Sequence, residues 1–196
     1  MKMLLAAVFA VTAFGAGAQT TYKVDTAATK VEWIGKKVAG DHKGLIKVKS
    51  GDLTATGDIL SGGSVVMDMP SLTNTDLTDK EWNDKLVGHL KAPDFFDTAK
   101  FPEAILKIKS SKKTAKGLDV MGDLTIKGIT KPITFTATDV KATATSLTAK
   151  AVVVVNRINY GVEYNSGKGD KSIIASLGDK MINDEFTLNV DLSAKK

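Results

Sequence analysis

The chain contains no cysteine, only four prolines and two histidines, and a single arginine, Arg157. Without cysteine, neither a disulfide framework nor a lipid-anchored lipoprotein can form, so the fold must be held together by its own core. The chain also lacks a cysteine nucleophile, a Gly-x-Ser-x-Gly turn and a complete phosphate-binding loop. We therefore predict that the protein is not an enzyme.

The two histidines are His42 and His89. A metal site would need both of them together with a carboxylate such as Asp94, and no local spacing supports one. We predict no metal site and no cofactor. Hydrogen bonding to loop backbone is the more common role for such histidines.

Arginine is scarce although the chain is basic, with 27 Lys and Arg against 22 Asp and Glu. Recognition of base edges and bidentate recognition of phosphates favour arginine, and the lysines form no basic run. We therefore predict no nucleic-acid partner. Lysines on outward strand faces and edges explain the charge and also oppose edge-to-edge aggregation. Transient contact with an anionic membrane surface stays open.

The N-terminus has the pattern of a secretory signal peptide. Lys2 supplies a positive charge, residues 3–14 form an apolar run, and Ala16-Gly17-Ala18 offers a small-x-small cleavage site. The run is too short to span a membrane. We predict that residues 1–18 are removed, and that residues 19–196 form a single domain that is periplasmic or secreted.

Most of the remaining chain alternates apolar and polar residues, as strands with one buried face do. Turns rich in glycine, lysine or serine separate these strands, and no βαβ spacing occurs, so we predict an antiparallel barrel or sandwich of about eight strands. At residues 152–155 the side chains on both faces of the strand are apolar. This pattern indicates a strand covered on both faces, for example by a helix. Typical alternations are Val31/Trp33, Val65/Met67/Met69, Leu124/Ile126 and Phe186/Leu188/Val190/Leu192.

One short helix is predicted near the middle of the chain. Thr78 and Glu81 have the spacing of a capping box, and Pro93 ends the helix. One apolar stripe runs along it, formed by Trp82, Leu86 and Leu90. This stripe either plugs one end of the barrel or also acts as a lid over a ligand.

Several motifs, in their order and spacing, resemble the polyisoprenoid-binding YceI-like family. The resemblance implies a lipocalin-like β-barrel with a long internal tunnel for an isoprenoid or similar lipid. It runs from about Tyr22 to Leu192 and is less clear at residues 165–179. The motifs are His42-Lys43-Gly44, residues 71–75, His89 to Asp97 with Phe101-Pro102-Glu103, Gly122 to Pro132, Asn156-Arg157, Tyr160-Gly161 and Asp184 to Leu192.

A lipid tail needs only a dry apolar wall, and an eight-stranded barrel can hold a ligand if its inner residues do not fill it. The predicted tail-binding wall consists of Trp33, Val48, Met67, Met69, Leu106, Leu124, Ile126 and Phe135, with Trp82 and Leu86 from the helix. Phe95, Phe96 and Phe101 are the predicted mouth. The candidates for the rim or a lipid head group are His42, His89, Arg157 and Tyr160. Arg157 either pairs with a carboxylate or meets the head group.

We therefore predict a secreted protein that holds a long-chain apolar lipid for transport, storage or sequestration. The alternative is a barrel with a filled core that acts in stress protection or protein interaction without a stable ligand. The identity of the lipid and a homodimer joined mouth to mouth stay open.

Overall fold

The computed structural model describes residues 18–167 and 177–196. The predicted signal peptide lies outside these ranges except for Ala18, and the segment 165–179 lies partly outside them. No helix among the described residues is long and apolar enough to cross a membrane. The elements are β1 Thr20–Val24, β2 Lys30–Lys37, β3 Gly40–Leu45, β4 Lys47–Thr56, β5 Ile59–Asp68, α1 Lys80–Lys91, β6 Glu103–Thr114, β7 Gly117–Ile126, β8 Ile129–Ala142, β9 Ser146–Asn156 and β10 Ile182–Lys195, with 3-10 helices at Met69–Ser71, Arg157–Tyr160 and Gly178–Lys180.

Eight strands close into an antiparallel barrel, because β1 pairs with β4 on one side and with β10 on the other. The order around the barrel is β1, β4, β5, β6, β7, β8, β9 and β10. Strand β2 pairs with the first part of β10 and carries β3 at its outer edge. The predicted all-β antiparallel barrel is therefore confirmed, with an additional β2–β3 hairpin that the sequence pattern did not separate from the eight.

The two ends of the barrel differ. The β2–β3 and β7–β8 turns and α1 lie at one end, called the mouth below. The β4–β5, β6–β7 and β8–β9 turns lie at the opposite end, called the floor. The Tyr22 hydroxyl donates to the Thr143 carbonyl at the floor, with a distance of 2.6 Å.

Strand β7 shows how the alternation builds the inner face. Leu118, Val120, Leu124 and Ile126 are all buried, whereas Met121 between them is 40% exposed. Successive side chains of a strand point to opposite faces, so one set enters the barrel and the other meets solvent.

The apolar run in β9 follows the same rule. Val153 and Val155 are buried, but Val152 is 62% exposed and Val154 is 52% exposed. The prediction that this strand is covered on both faces is therefore wrong. The helix α1 lies at the mouth and leaves the outer face of β9 bare.

The β7–β8 turn, within the Gly122 to Pro132 motif, is a tight hairpin. Lys127 and Gly128 both have positive φ, 51° and 76°. Two adjacent residues with positive φ match the twist of a tight antiparallel hairpin. Across it, the Thr125 and Thr130 hydroxyls form a hydrogen bond of 2.8 Å. The turn brings the ends of β7 and β8 to the mouth.

The helix begins one residue later than the capping box predicts. Asp79, not Thr78, is the N-cap, and its carboxylate accepts the Trp82 N–H at 3.1 Å. Glu81 instead accepts a hydrogen bond from Lys85 one turn further along the helix, at 2.7 Å. Aspartate is a better cap than threonine because its charge also faces the positive end of the helix dipole.

The connection from β5 to α1 is held against β3 by backbone hydrogen bonds. The Thr73 N–H donates to Leu45 and the Thr75 N–H donates to Lys43, at 3.0 and 2.9 Å. The indole N–H of Trp33 donates to the Thr73 carbonyl at 2.9 Å. These contacts fix the direction in which the chain enters the helix at the mouth.

Gly44 permits this close approach, because a Cβ at that position would clash with the Thr73 carbonyl and with the Trp33 ring. We expect Gly44→Ala to lower the free energy of unfolding by about 2 kcal/mol or more. The matched control is Gly88→Ala in α1, where a Cβ meets nothing within 4 Å. There alanine should raise stability by up to about 1 kcal/mol. Urea unfolding measures both, and equal midpoints for the two variants would contradict the role given to Gly44.

Candidate functional site

The barrel interior is hollow. A cavity of about 510 Å³ lies at the mouth, and a second cavity of about 130 Å³ lies deeper, toward the floor. The combined space is within the range of small-molecule sites, about 300 to 1,000 Å³. The inward-pointing side chains therefore do not fill the barrel.

The solvent accessibility of the inner side chains agrees with a hollow interior. Phe135 of β8 and Leu188, Val190 and Leu192 of β10 line the deeper cavity, yet each is only partly buried. Because strands surround them, the accessible part of each side chain faces the hollow. A close-packed core would leave no such surface.

The mouth cavity, called the upper chamber below, has an apolar wall. Its described lining includes eight of the predicted tail-binding and mouth residues. They come from three strands (β2, β5 and β7), the 3-10 helix after β5, α1 and the loop after it. They are Trp33, Met67, Met69, Leu86, Phe95, Phe96, Leu124 and Ile126.

The deeper cavity, called the lower chamber below, is lined by Val48, Leu106 and Phe135 among the predicted residues. Met67 and Leu124 line both chambers. The two chambers therefore bring together eleven predicted residues that are distant in sequence.

Two of the predicted tail-binding and mouth residues, Trp82 and Phe101, line neither chamber. Trp82 is 62% exposed at the start of α1, with the Lys85 ammonium 4.7 Å from its ring centre. Its expected place on the inward face of the helix is therefore wrong, because the first turn of α1 projects into solvent. Phe101 is half-buried and lies beside Gly128 of the β7–β8 turn.

Both histidines lie at the mouth and line the upper chamber. His42 Nδ1 is 2.8 Å from the Asp76 carboxylate, and His89 Nε2 is 3.0 Å from that of Asp94. The His89 ring also packs edge-on against Tyr164, with 4.4 Å between ring centres. Among the described residues, no group of three or more acidic or histidine side chains could hold a metal ion.

Arg157 follows β9 and is only 2% exposed, although its side chain lines the upper chamber. Its guanidinium donates to the carbonyls of Val162, Asn183 and Ile182 at 2.7, 2.9 and 3.0 Å. Asp184 is farther, at 3.8 Å. Arg157 thus joins the loop after β9 to the start of β10.

Burial lowers the pKa of Arg157, whereas the nearby Asp184 and Glu163 carboxylates act in the opposite direction. An arginine remains charged under such conditions. The mouth therefore holds a fixed cation. Tyr160, the remaining rim candidate, lines neither chamber; it is buried, and burial raises its pKa.

Several residues that line the upper chamber were not among the predicted site residues. Phe186 and Leu188 line the upper chamber, and the Phe186 ring centre is 6.0 Å from that of Phe96. The alternation in β10 identifies both as inward-facing, so this signal could have included them. Tyr164 also lines the upper chamber, but no periodic pattern marks it.

A family profile described as the YceI-like domain matches residues 22–194. Over 49 aligned residues, the chain is 49% identical to Protein YceI of Escherichia coli strain UMN026. It is 45% identical to Protein YceI of Salmonella arizonae over the same length. The alignment with the E. coli protein spans 25% of this chain and 26% of that protein.

Solved structures share the fold over most of the chain. BcnA of Burkholderia cenocepacia superimposes with a TM-score of 0.59 at 24% identity, covering 87% of this chain and 99% of that one. A polyisoprenoid binding domain from Saccharophagus degradans gives a TM-score of 0.57 at 14% identity, covering 89% and 97%. At these identities the likeness concerns the fold alone.

The His42–Asp76 pair predicts a pH dependence of stability. Burial raises the pKa of Asp76, but hydrogen bonds from the Lys43 N–H, His42 and Asn74 outweigh it and leave the pKa below its ordinary value of 3.8. A depressed carboxyl pKa stabilises the fold above the unfolded pKa, and this contribution is lost as the pH falls through the folded pKa. We expect Asp76→Asn to be less stable than the wild type at neutral pH.

The difference in the free energy of unfolding between the wild type and Asp76→Asn should shrink as the pH falls below 3.8, the ordinary pKa of this carboxyl group. Urea unfolding at a series of pH values measures it. Asp84→Asn is the control, because the Asp84 side chain is 64% exposed and its ion pair with Lys80 lies on the helix surface. A pH-independent difference for Asp76→Asn would contradict the assigned role.

Proposed function

The chain belongs to the YceI-like family, and we propose that it binds a polyisoprenoid or similar long-chain lipid inside the barrel. The observation that carries this proposal is the hollow, apolar interior with its polar groups gathered at the mouth. The solved domain from Saccharophagus degradans, which shares the fold, is described as polyisoprenoid binding.

The energetics favour such a ligand. Each methylene moved from water into the chambers gains ~0.8 kcal/mol, so a long chain needs few polar contacts even after the cost of ordering it. The tail would lie toward the floor. Its polar end would lie near His42, His89 and the Arg157 guanidinium. Backbone carbonyls of the loop after β9 and of β10 already hold this guanidinium in place.

In this proposal the protein is a carrier or store that uses neither a catalytic group nor a cofactor. At the mouth, His42 and His89 each face one carboxylate. The predicted signal peptide would direct residues 19–196 out of the cytoplasm. A filled-core protein-interaction module does not account for the two chambers.

Filling the interior should abolish binding. Leu188 lines both chambers, so Leu188→Trp places an indole across the hollow. We expect a lipid to copurify with the wild type at about one molecule per chain and to be absent from the variant. Organic extraction followed by mass spectrometry measures the lipid, and circular dichroism checks the fold.

The matched control is Val152→Trp, which adds the same side chain to the outer face of β9, where Val152 is 62% exposed. This control should retain the lipid. A wild-type extract without lipid, or a folded Leu188→Trp protein with the wild-type amount, would contradict the proposal.

We further propose that the tip of the β2–β3 hairpin meets an anionic membrane surface when lipid is exchanged. Val38 at the tip is 57% exposed, and its neighbours Lys36, Lys37 and Ala39 line the edge of the upper chamber. An apolar tip flanked by cations suits a bilayer with acidic head groups, where each lysine contributes about 1 kcal/mol. This contact would place the mouth at the source of lipid.

Reversing both charges should weaken the contact. We expect Lys36→Glu with Lys37→Glu to lower binding to phosphatidylglycerol vesicles by at least about tenfold. The control reverses Lys112 and Lys113, an exposed pair at the floor end of β6. Vesicle cosedimentation measures both, and equal losses would indicate attraction by total charge rather than docking through the mouth.

A further inference from the structure

The two chambers meet at three side chains. Met67 of β5, Leu124 of β7 and Leu188 of β10 line both the upper and the lower chamber. They form a waist between a cavity of about 510 Å³ and one of about 130 Å³. Building on the proposed function, we propose that Met67 is the gate at this waist and determines which lengths of isoprenoid chain bind.

The position of Met67 in the sheet supports this role. In the register of β5 it pairs with Val48 of β4 on one side and with Ala104 of β6 on the other. Val48 lines only the lower chamber and Ala104 only the upper one. Met67 therefore stands at the level of the barrel where one chamber ends and the other begins.

Met67 also differs in chemistry from the other two waist residues, Leu124 and Leu188. Methionine is unbranched and has three rotatable bonds, so it can change shape without moving the backbone. Leucine is branched and fills its site more rigidly. Met67 is only partly buried and lines both chambers, so there is open space beside its side chain. Of the three waist residues, Met67 is the one that a lipid tail can displace most easily.

The lower chamber has the features of a terminal pocket for a tail. Its described lining is almost entirely apolar, and alanines at positions 137, 149 and 151 keep it open. Leu53, Leu60 and Val120 in its wall are almost completely buried, which is the close packing expected of a floor. A chain that passes Met67 can therefore extend only a limited distance.

This arrangement predicts that the binding affinity depends on the length of the prenyl chain. A short prenyl chain fits within the upper chamber and does not contact the gate. A longer chain must displace Met67 to bury its last units in the lower chamber. Each further methylene that is buried tightens binding roughly fourfold. The conformation of the Met67 side chain therefore decides whether a longer prenyl chain binds more tightly.

The test compares three prenols of increasing length, farnesol, geranylgeraniol and solanesol, by native mass spectrometry with competition. Met67→Ala opens the waist and should raise affinity for solanesol relative to farnesol by at least about tenfold. Ala151→Leu fills the lower chamber and should lower the same ratio without changing farnesol binding. The matched control is Met121→Ala on the outer face of β7, where Met121 is 40% exposed; it should keep the wild-type ratio.

The outcomes separate the gate from the proposed function. If the wild type binds none of the prenols, lipid binding itself is refuted and the gate with it. If the wild type binds them but neither the Met67 nor the Ala151 variant alters the ratio, the gate is refuted while lipid binding stands. Opposite shifts for the two variants support the gate. The Ala151 variant tests the idea even where Met67→Ala fails to fold.

Discussion

Closure of the barrel through β10 is the constraint on which the rest of the structure depends. This strand pairs with β9 from Glu185 to Lys195 and has two partners, β2 and β1, on its other edge. Toward the mouth it pairs with β2, between Ile182 and Asp191, and near the floor it pairs with β1 through Ala194 and Lys195. The wall is thus closed directly only at the floor. The β2–β3 hairpin continues it at the mouth, where the larger chamber lies.

A hollow interior has an energetic consequence. Apolar side chains that face empty space lose the dispersion contacts that a packed core provides. A bound lipid would restore these contacts, so ligand binding and folding stability would be linked by mass action. The fully buried layer around Leu53, Val120 and Leu147 supplies the packed core that the hollow region lacks. The larger chamber lies at the other end of the barrel, toward the mouth.

The polar groups of the mouth are held by the protein itself. Arg157 donates to three carbonyls, and His42 and His89 each face a carboxylate. Such groups are oriented before any ligand arrives, which lowers the ordering cost of binding. The same hydrogen bonds tie the loop after β9 to β10 and the segment before α1 to β3. The rim is therefore a structural element and, in the proposed function, also a recognition surface.

Local patterns in the sequence determined the strands, the inward parity of residues such as Leu124, and the tight β7–β8 turn, because a period of two and a turn depend on neighbouring residues. The YceI-like motifs supplied the barrel and the expectation of a tunnel. Only the tertiary structure decided that Trp82 faces solvent, that Arg157 donates to backbone carbonyls of the loop after β9 and of β10, and that Met67 stands between two chambers. Those properties depend on contacts between residues that are far apart in the chain, which a local sequence pattern does not specify.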